Sequence, residues 1–262
     1  MAAIQSLITA ACNREDSVLS TNAADVLARI GPQAINSIAV YRAISSQSNL
    51  NTNELDRVLE NVGSNEEIQV LIELLKNSDW RIQRDAADFL GRIGAREGIT
   101  PLTDLALDNA ARAEVRAQCI SSLGKFGDPK LADYLLPLLD STFPPAVRGA
   151  AAESLGAVQA RAAIDPLLKI FRTDNDPDVL KETALTLGEL KARKALPELK
   201  SALFGKDADR QVQIACIEGI EKIDSSDGKK ILDEGWEFFF AVDRELHRLC
   251  LNAWHRLNQR GV

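Results

Sequence analysis

Apolar residues recur along this chain in steps of four, four and three. From Val115 the stripe runs through Cys119, Leu123 and Phe126, and from Val147 through Ala151, Leu155 and Val158. Residues at that spacing share one face of an α-helix. The pattern then repeats in register. Taking the first apolar residue of each stripe as its anchor, the anchors are Leu19, Asn51 (a degenerate copy carrying Leu55, Leu59 and Val62), Ile82, Val115, Val147, Val179, Val212 and Leu246, spaced by 31 to 34 residues. A fixed period of this length marks a repeat architecture, in which each unit buries its apolar face only against its neighbours.

Other residues keep step with the anchors. Asp16, Asp79, Asp176, Asp209 and Asp243 each stand three residues before an anchor, where a carboxylate suits a helix N-cap. Pro101, Pro166 and Pro197 follow their anchors by 18 or 19 residues, and each precedes a second apolar run, as proline does in the first turn of a helix. Each unit therefore reads as helix, short turn, helix. Gly91, Gly124, Gly156 and Gly188 recur nine residues after their anchors, which suits close helix approach. The expected fold is all-α: an α-solenoid of about eight helix-turn-helix repeats forming one domain over 1–262. Residues 1–15 are expected to be a capping half-repeat, and 236–262 an aromatic-rich capping repeat.

Composition narrows the function. With Lys and Arg totalling 31 against 38 Asp and Glu, the formal charge is −7. That speaks against nucleic acid as the partner, because phosphate neutralisation needs a basic face. The start, MAAIQSLITAACNRED, lacks the basic stretch of a signal peptide, and no run of apolar residues suffices to insert into a membrane. The four cysteines are far apart without CxxC spacing, so a cytoplasmic protein with reduced thiols is expected. Cys119, Cys216 and Cys250 all fall four residues after an anchor, a slot held elsewhere by Ala23, Ala86 and Ala151. They are expected to pack there as small hydrophobes. Phosphate-loop and dinucleotide motifs are missing from the sequence, and no metal site is expected.

The stretches 79–94, 112–127, 144–158 and 176–190 follow the pattern Asp-x-x-Val-Arg-x-x-Ala-Ala-x-x-Leu-Gly-x-Ile-Gly. This pattern resembles the HEAT-like repeats of the phycobilisome lyase type, and the resemblance extends from about Asp16 to Leu257. It implies a solenoid that is either a protein-binding scaffold or a lyase attaching linear tetrapyrroles to phycobiliproteins. Lyase members tend to carry an aromatic pair in a repeat helix, where this chain has Ala86-Ala87-Asp88-Phe89-Leu90-Gly91. The two histidines, His247 and His255, are not followed by Glu, unlike the His-Glu pairs of iron-dependent hydroxylases built from similar repeats.

Positions two, six and nine residues after an anchor lie opposite the apolar stripe, and the resemblance places them on a concave face. The residues expected to contact a partner are Arg84, Asp88, Arg116, Ser121, Arg148, Glu153, Lys181, Arg248, Asn252 and His255. Arg116 and Arg148 follow their anchors directly and are expected at the stripe's edge. The first reading of function is a non-catalytic scaffold or adaptor that binds a protein partner along this face. The alternative is a phycobilin lyase or bilin-binding chaperone acting on a phycobiliprotein subunit. In that case Arg84, Arg116, Arg148 and Lys181 would meet the bilin propionates, and Asp88 or Glu153 the pyrrole N–H groups. The dense aromatic run Trp236-Glu-Phe238-Phe239-Phe240 is either a cap on the core or a contact surface beside Arg244, Arg248 and Arg256.

Overall fold

A computed structural model of the chain describes residues 2–13, 15–45, 53–61, 63–205 and 208–261. Among these the regular secondary structure is helical throughout. The chain divides into two compact units, 1–126 and 127–262. The first holds α1 (Ala2–Ala11), α2 (Ser17–Ile30), α3 (Pro32–Ser45), α4 (Asn53–Glu60), α5 (Asn65–Leu74), α6 (Trp80–Ile93), α7 (Ile99–Leu107) and α8 (Ala113–Lys125). The second holds α9 (Ala132–Leu135), α10 (Pro145–Ala157), α11 (Ile164–Thr173), α12 (Pro177–Glu189), α13 (Leu196–Leu203), α14 (Arg210–Ile223), α15 (Ser226–Phe239) and α16 (Arg244–Gln259). Among the described residues the even-numbered helices carry the anchors, and α4 carries Leu55 and Leu59 of the second stripe. Each packs on the odd-numbered helix before it and, within its unit, on its even-numbered neighbours.

The core is the stripe read from the sequence. Val115, Cys119 and Leu123 of α8, Val147, Ala151 and Leu155 of α10, and Val212, Cys216 and Ile220 of α14 are all buried. All five register aspartates accept backbone N–H groups at the starts of their helices: Asp16, Asp79, Asp176, Asp209 and Asp243. Pro101 and Pro166 sit in the first turns of α7 and α11, and Pro197 near the start of α13. The register glycines let helices touch. A Cβ on Gly91 would stand 2.7 Å from the Cβ of Ser122, and one on Gly188 would stand 2.6 Å from the Cα of Gly219. The α12 and α14 backbones meet there with no room for a side chain.

The register slips in the first copy. Leu19 is 44% exposed, and the buried face of α2 is Ser20, Ala23, Ala24 and Leu27. A serine can take the core position because its hydroxyl donates to the Ala11 carbonyl at 2.6 Å, so α1 docks on α2 through that bond and buried Ile8. In the second copy Leu55 and Leu59 are buried, while Asn51 and Val62 lie outside the described residues.

One odd-numbered helix is irregular. α9 has a single turn and passes into a 3-10 segment, Leu136–Leu139. Pro137 accounts for the change: it lacks the N–H that would continue the α-helical ladder. A cleft of 650 Å³ opens between this segment and α11, lined by Pro137, Asp140, Lys169, Ile170, Arg148 and Asp174 among others.

Candidate functional site

The residues expected to form one contact face have three different fates. In the first unit, charged positions on the even-numbered helices are tied to one another. Arg57 of α4 donates to Asp25 of α2 at 2.8 Å, and Arg92 of α6 pairs with Glu60 of α4. Asp88 of α6 meets Lys125 of α8 at 2.7 Å and Gln118 at 3.2 Å, with Arg92 at 3.6 Å. Asp88 is thus part of a ladder joining successive helices. Arg84 donates to buried Asp85 at 2.8 Å and lies over the Trp80 ring. Arg42 of α3 also reaches Asp85, at 3.0 Å. Ser121 is half-buried on α8.

The two arginines directly after anchors are inside. Arg116 and Arg148 are buried, contrary to the expectation that they edge an open stripe. Arg116 Nε donates to the Ala106 carbonyl at the end of α7, at 2.9 Å. Arg148 donates two bonds to Asp174, at 2.7 and 2.9 Å, and a third to the Phe143 carbonyl. The paired side chains are only 9% and 8% exposed. Burial pushes the Asp174 carboxyl up, but the Arg148 bonds and the N–H groups of Asp176 and Asn175 outweigh it and hold the pKa below the ordinary value. The physical reason for the correction is angular. The first residue after an anchor is turned only about 100° from it, so a long side chain there still reaches between helices.

The third group is open to water. Glu153 on α10, and Arg248, Asn252 and His255 on α16, are exposed, and Lys181 on α12 is half-buried. Lys181 Nζ meets Glu182 at 3.0 Å, which raises its pKa, with smaller contributions from Asp178 and Glu153. On α16 the exposed stripe has a further member that the sequence reading placed only beside the aromatic run. Arg244, Arg248, Asn252 and His255 follow the same four, four, three spacing as the core, displaced by two residues from the anchor Leu246. That displacement was the signal available in the sequence.

The aromatic run divides between two roles. Phe239 is buried and stacks parallel to Phe204, the residue just after α13, at 5.9 Å. Phe238 meets the same ring edge-on at 5.2 Å yet is 50% exposed, and Phe240 and Val242 are 70% and 73% exposed. Trp236 is pinned from both sides. Its indole N–H donates to Asp233 at 2.9 Å, and its carbonyl lies 2.7 Å from Nδ1 of His247. The Phe240 ring packs on the edge of His247 at 5.3 Å. The run therefore closes the core with one ring and presents two to solvent.

The cysteines behave as packing groups. Burial pushes the thiols of Cys119, Cys216 and Cys250 up to about 12, far from the thiolate that nucleophilic or metal chemistry requires. Among the described residues, no group of three or more His, Cys, Asp or Glu is placed to hold a metal ion. No helix among them is long and apolar enough to cross a membrane.

The fold and these surfaces define a class, the helix-pair repeat solenoid. Models of HEAT repeats match residues 54–114, 106–185 and 164–237, and the chain belongs to the HEAT-repeat family. No curated protein matches it by sequence. Among solved structures it resembles the karyopherin Kap121p bound to the extreme C-terminus of the protein phosphatase Cdc14p. That match has a TM-score of 0.66 and 14% identity, covering 98% of this chain and 33% of Kap121p. It also resembles YibA of Escherichia coli, with a TM-score of 0.56 and 16% identity over 96% of this chain and 92% of that one. The complex of CpcE and CpcF of phycocyanin lyase from Nostoc sp. PCC7120 matches at 19% identity over 86% and 94%, with a TM-score of 0.49. These identities speak to fold alone.

Proposed function

We propose that this protein is a non-catalytic scaffold whose second unit binds a partner protein. The observation that carries the reading is the exposure of Phe238, which meets the partly open Phe204 ring, and of Phe240 and Val242 in the turn that follows. Large apolar groups gathered at one edge are the usual core of a protein contact. Membership of a family of stacked helix pairs supports it, since such stacks offer long surfaces for association. The bilin reading loses three of its four expected propionate partners, because Arg84, Arg116 and Arg148 already serve bonds within the fold.

The test uses the full chain as bait in extract from its own source, followed by reconstitution with each purified candidate, a phycobiliprotein subunit included. A 1:1 complex with one purified protein, weakened by Phe238→Ser with Phe240→Ser at unchanged melting temperature, is the expected result. Failure of every purified candidate to bind would overturn the scaffold reading. A red-shifted, intensified absorption band on mixing with free phycobilin would favour the lyase alternative.

A further inference from the structure

The α15–α16 corner places two kinds of surface side by side, an exposed apolar turn and a pair of arginines that form no ion pair among the described residues. Phe240 and Val242 occupy the turn between the helices and point into solvent. The packing of the Phe240 ring on His247 sets the turn against the first turns of α16. From there the exposed stripe runs along one face through Arg244, Arg248, Asn252 and His255.

The charges of that stripe differ from those around it. Arg256, farther along α16, is locked to Glu221 of α14 at 2.6 and 2.7 Å. Arg210 is locked to Asp243 and to Glu245, the latter at 2.7 Å. Glu218, the exposed carboxylate of α14, exerts its field on Arg256. Among the described residues, Arg244 and Arg248 form no ion pair with any carboxylate. A chain of net charge −7 therefore keeps two guanidinium groups four residues apart, uncompensated, on the same helix that begins at an exposed apolar turn.

We infer that this corner is the docking site for an acidic amphipathic helix of a partner protein, with an apolar side chain against Phe240 and Val242 and carboxylates one turn apart facing Arg244 and Arg248. Carboxylate is the ligand chemistry that the guanidinium fork accepts with two parallel bonds. Spacing of i and i+4 on the partner matches i and i+4 on α16. His255 and Asn252 extend the stripe with hydrogen-bonding groups. The inference rests on the scaffold reading and adds the surface and chemical class of the partner.

The probes are three fluorescein-labelled helical peptides of one design, with leucine on the apolar face and Glu, Gln or Lys on the polar face. A fourth peptide keeps the Glu residues and replaces the leucines with serine. Fluorescence anisotropy with the full-length protein reads the affinities at low and high salt. The Glu–Leu peptide is expected to bind at least about tenfold more tightly than the other three. Arg244→Glu with Arg248→Glu should remove that advantage, Phe240→Ser should weaken it, and Lys230→Glu on the exposed face of α15 should leave it unchanged. Helical circular dichroism and melting temperature confirm that each variant is folded. Equal binding of the Glu and Gln peptides, equal binding of the serine peptide, or full affinity in the folded double reversal would each overturn the inference. Those results leave the scaffold reading standing, because its own test is the reconstituted complex.

Discussion

Arg148 in the first turn of α10 and Arg248 in the first turns of α16 sit one and two residues after their anchors, and they end in opposite environments. Arg148 is enclosed with Asp174 against a cleft, its donors spent on a carboxylate and a carbonyl. Arg248 stands in solvent with no carboxylate partner among the described residues. One helical step of about 100° separates a structural cation from an available one. Residue type and rough register do not distinguish the two roles; the residue packed opposite does.

The comparison breaks most visibly in unfolding experiments. Arg148→Ala leaves the Asp174 carboxylate buried without its partner and should cost about 3–5 kcal/mol in urea unfolding. Replacing both members, Arg148→Met with Asp174→Leu, should recover much of that loss, because no charge then stays buried. If Arg148→Ala is mild, Arg148 belongs with Arg248 after all. The same pair has a pH signature. Asp174 titrates below its unfolded value, so its contribution is complete above the unfolded carboxyl pKa of about 3.9 and is lost as pH falls through the depressed folded value. Wild-type stability should drop more steeply on acidification below about pH 4 than that of the double variant.

A smaller effect tests packing behind the α15–α16 corner. A Cβ at Gly235 would lie 2.9 Å from Sγ of Cys250. Gly235→Ala should destabilise by about 1–3 kcal/mol, and adding Cys250→Ala should restore part of it, a coupling readable in a double-mutant cycle. Additive losses would show that the thiol is not what the new methyl meets. At the ladder of the first unit, Asp88→Asn should cost less than about 1 kcal/mol and less still in high salt, since its pairs are partly solvated. Arg248→Ala should change stability by no more than about 0.5 kcal/mol. A larger cost would place Arg248 in an intramolecular network and weaken the case for it as a contact.

Much of the fold was legible because it obeys local rules. The core from Ile82 to Leu257 follows apolar periodicity, and the five aspartates cap helices by a short-range bond that sequence spacing reveals. The slip at Leu19 was not legible, because choosing Ser20 for the core depends on the Ala11 carbonyl at the end of another helix. The site was harder to read for the same reason. Arg148 pairs with a residue 26 positions away that keeps no register with it. The cleft beside it is lined by Pro137 of the 3-10 segment and by Lys169 and Ile170 of α11, residues that only the folded packing brings together. The α16 stripe obeys the same spacing rule as the core, and the sequence reading recovered it except for Arg244.

The buried cysteines give the protein built-in clocks. Cys12 and Cys119 lie in the first unit, Cys216 and Cys250 in the second, and all four are buried free thiols. In the native state a thiol-reactive probe must wait for each site to open. Pulsed labelling followed by mass spectrometry of the peptides would therefore time the opening of each unit separately, without any engineered reporter. Matching rates at Cys119 and Cys216 would mean that the two units breathe together. Distinct rates would mark two kinetic bodies within one chain.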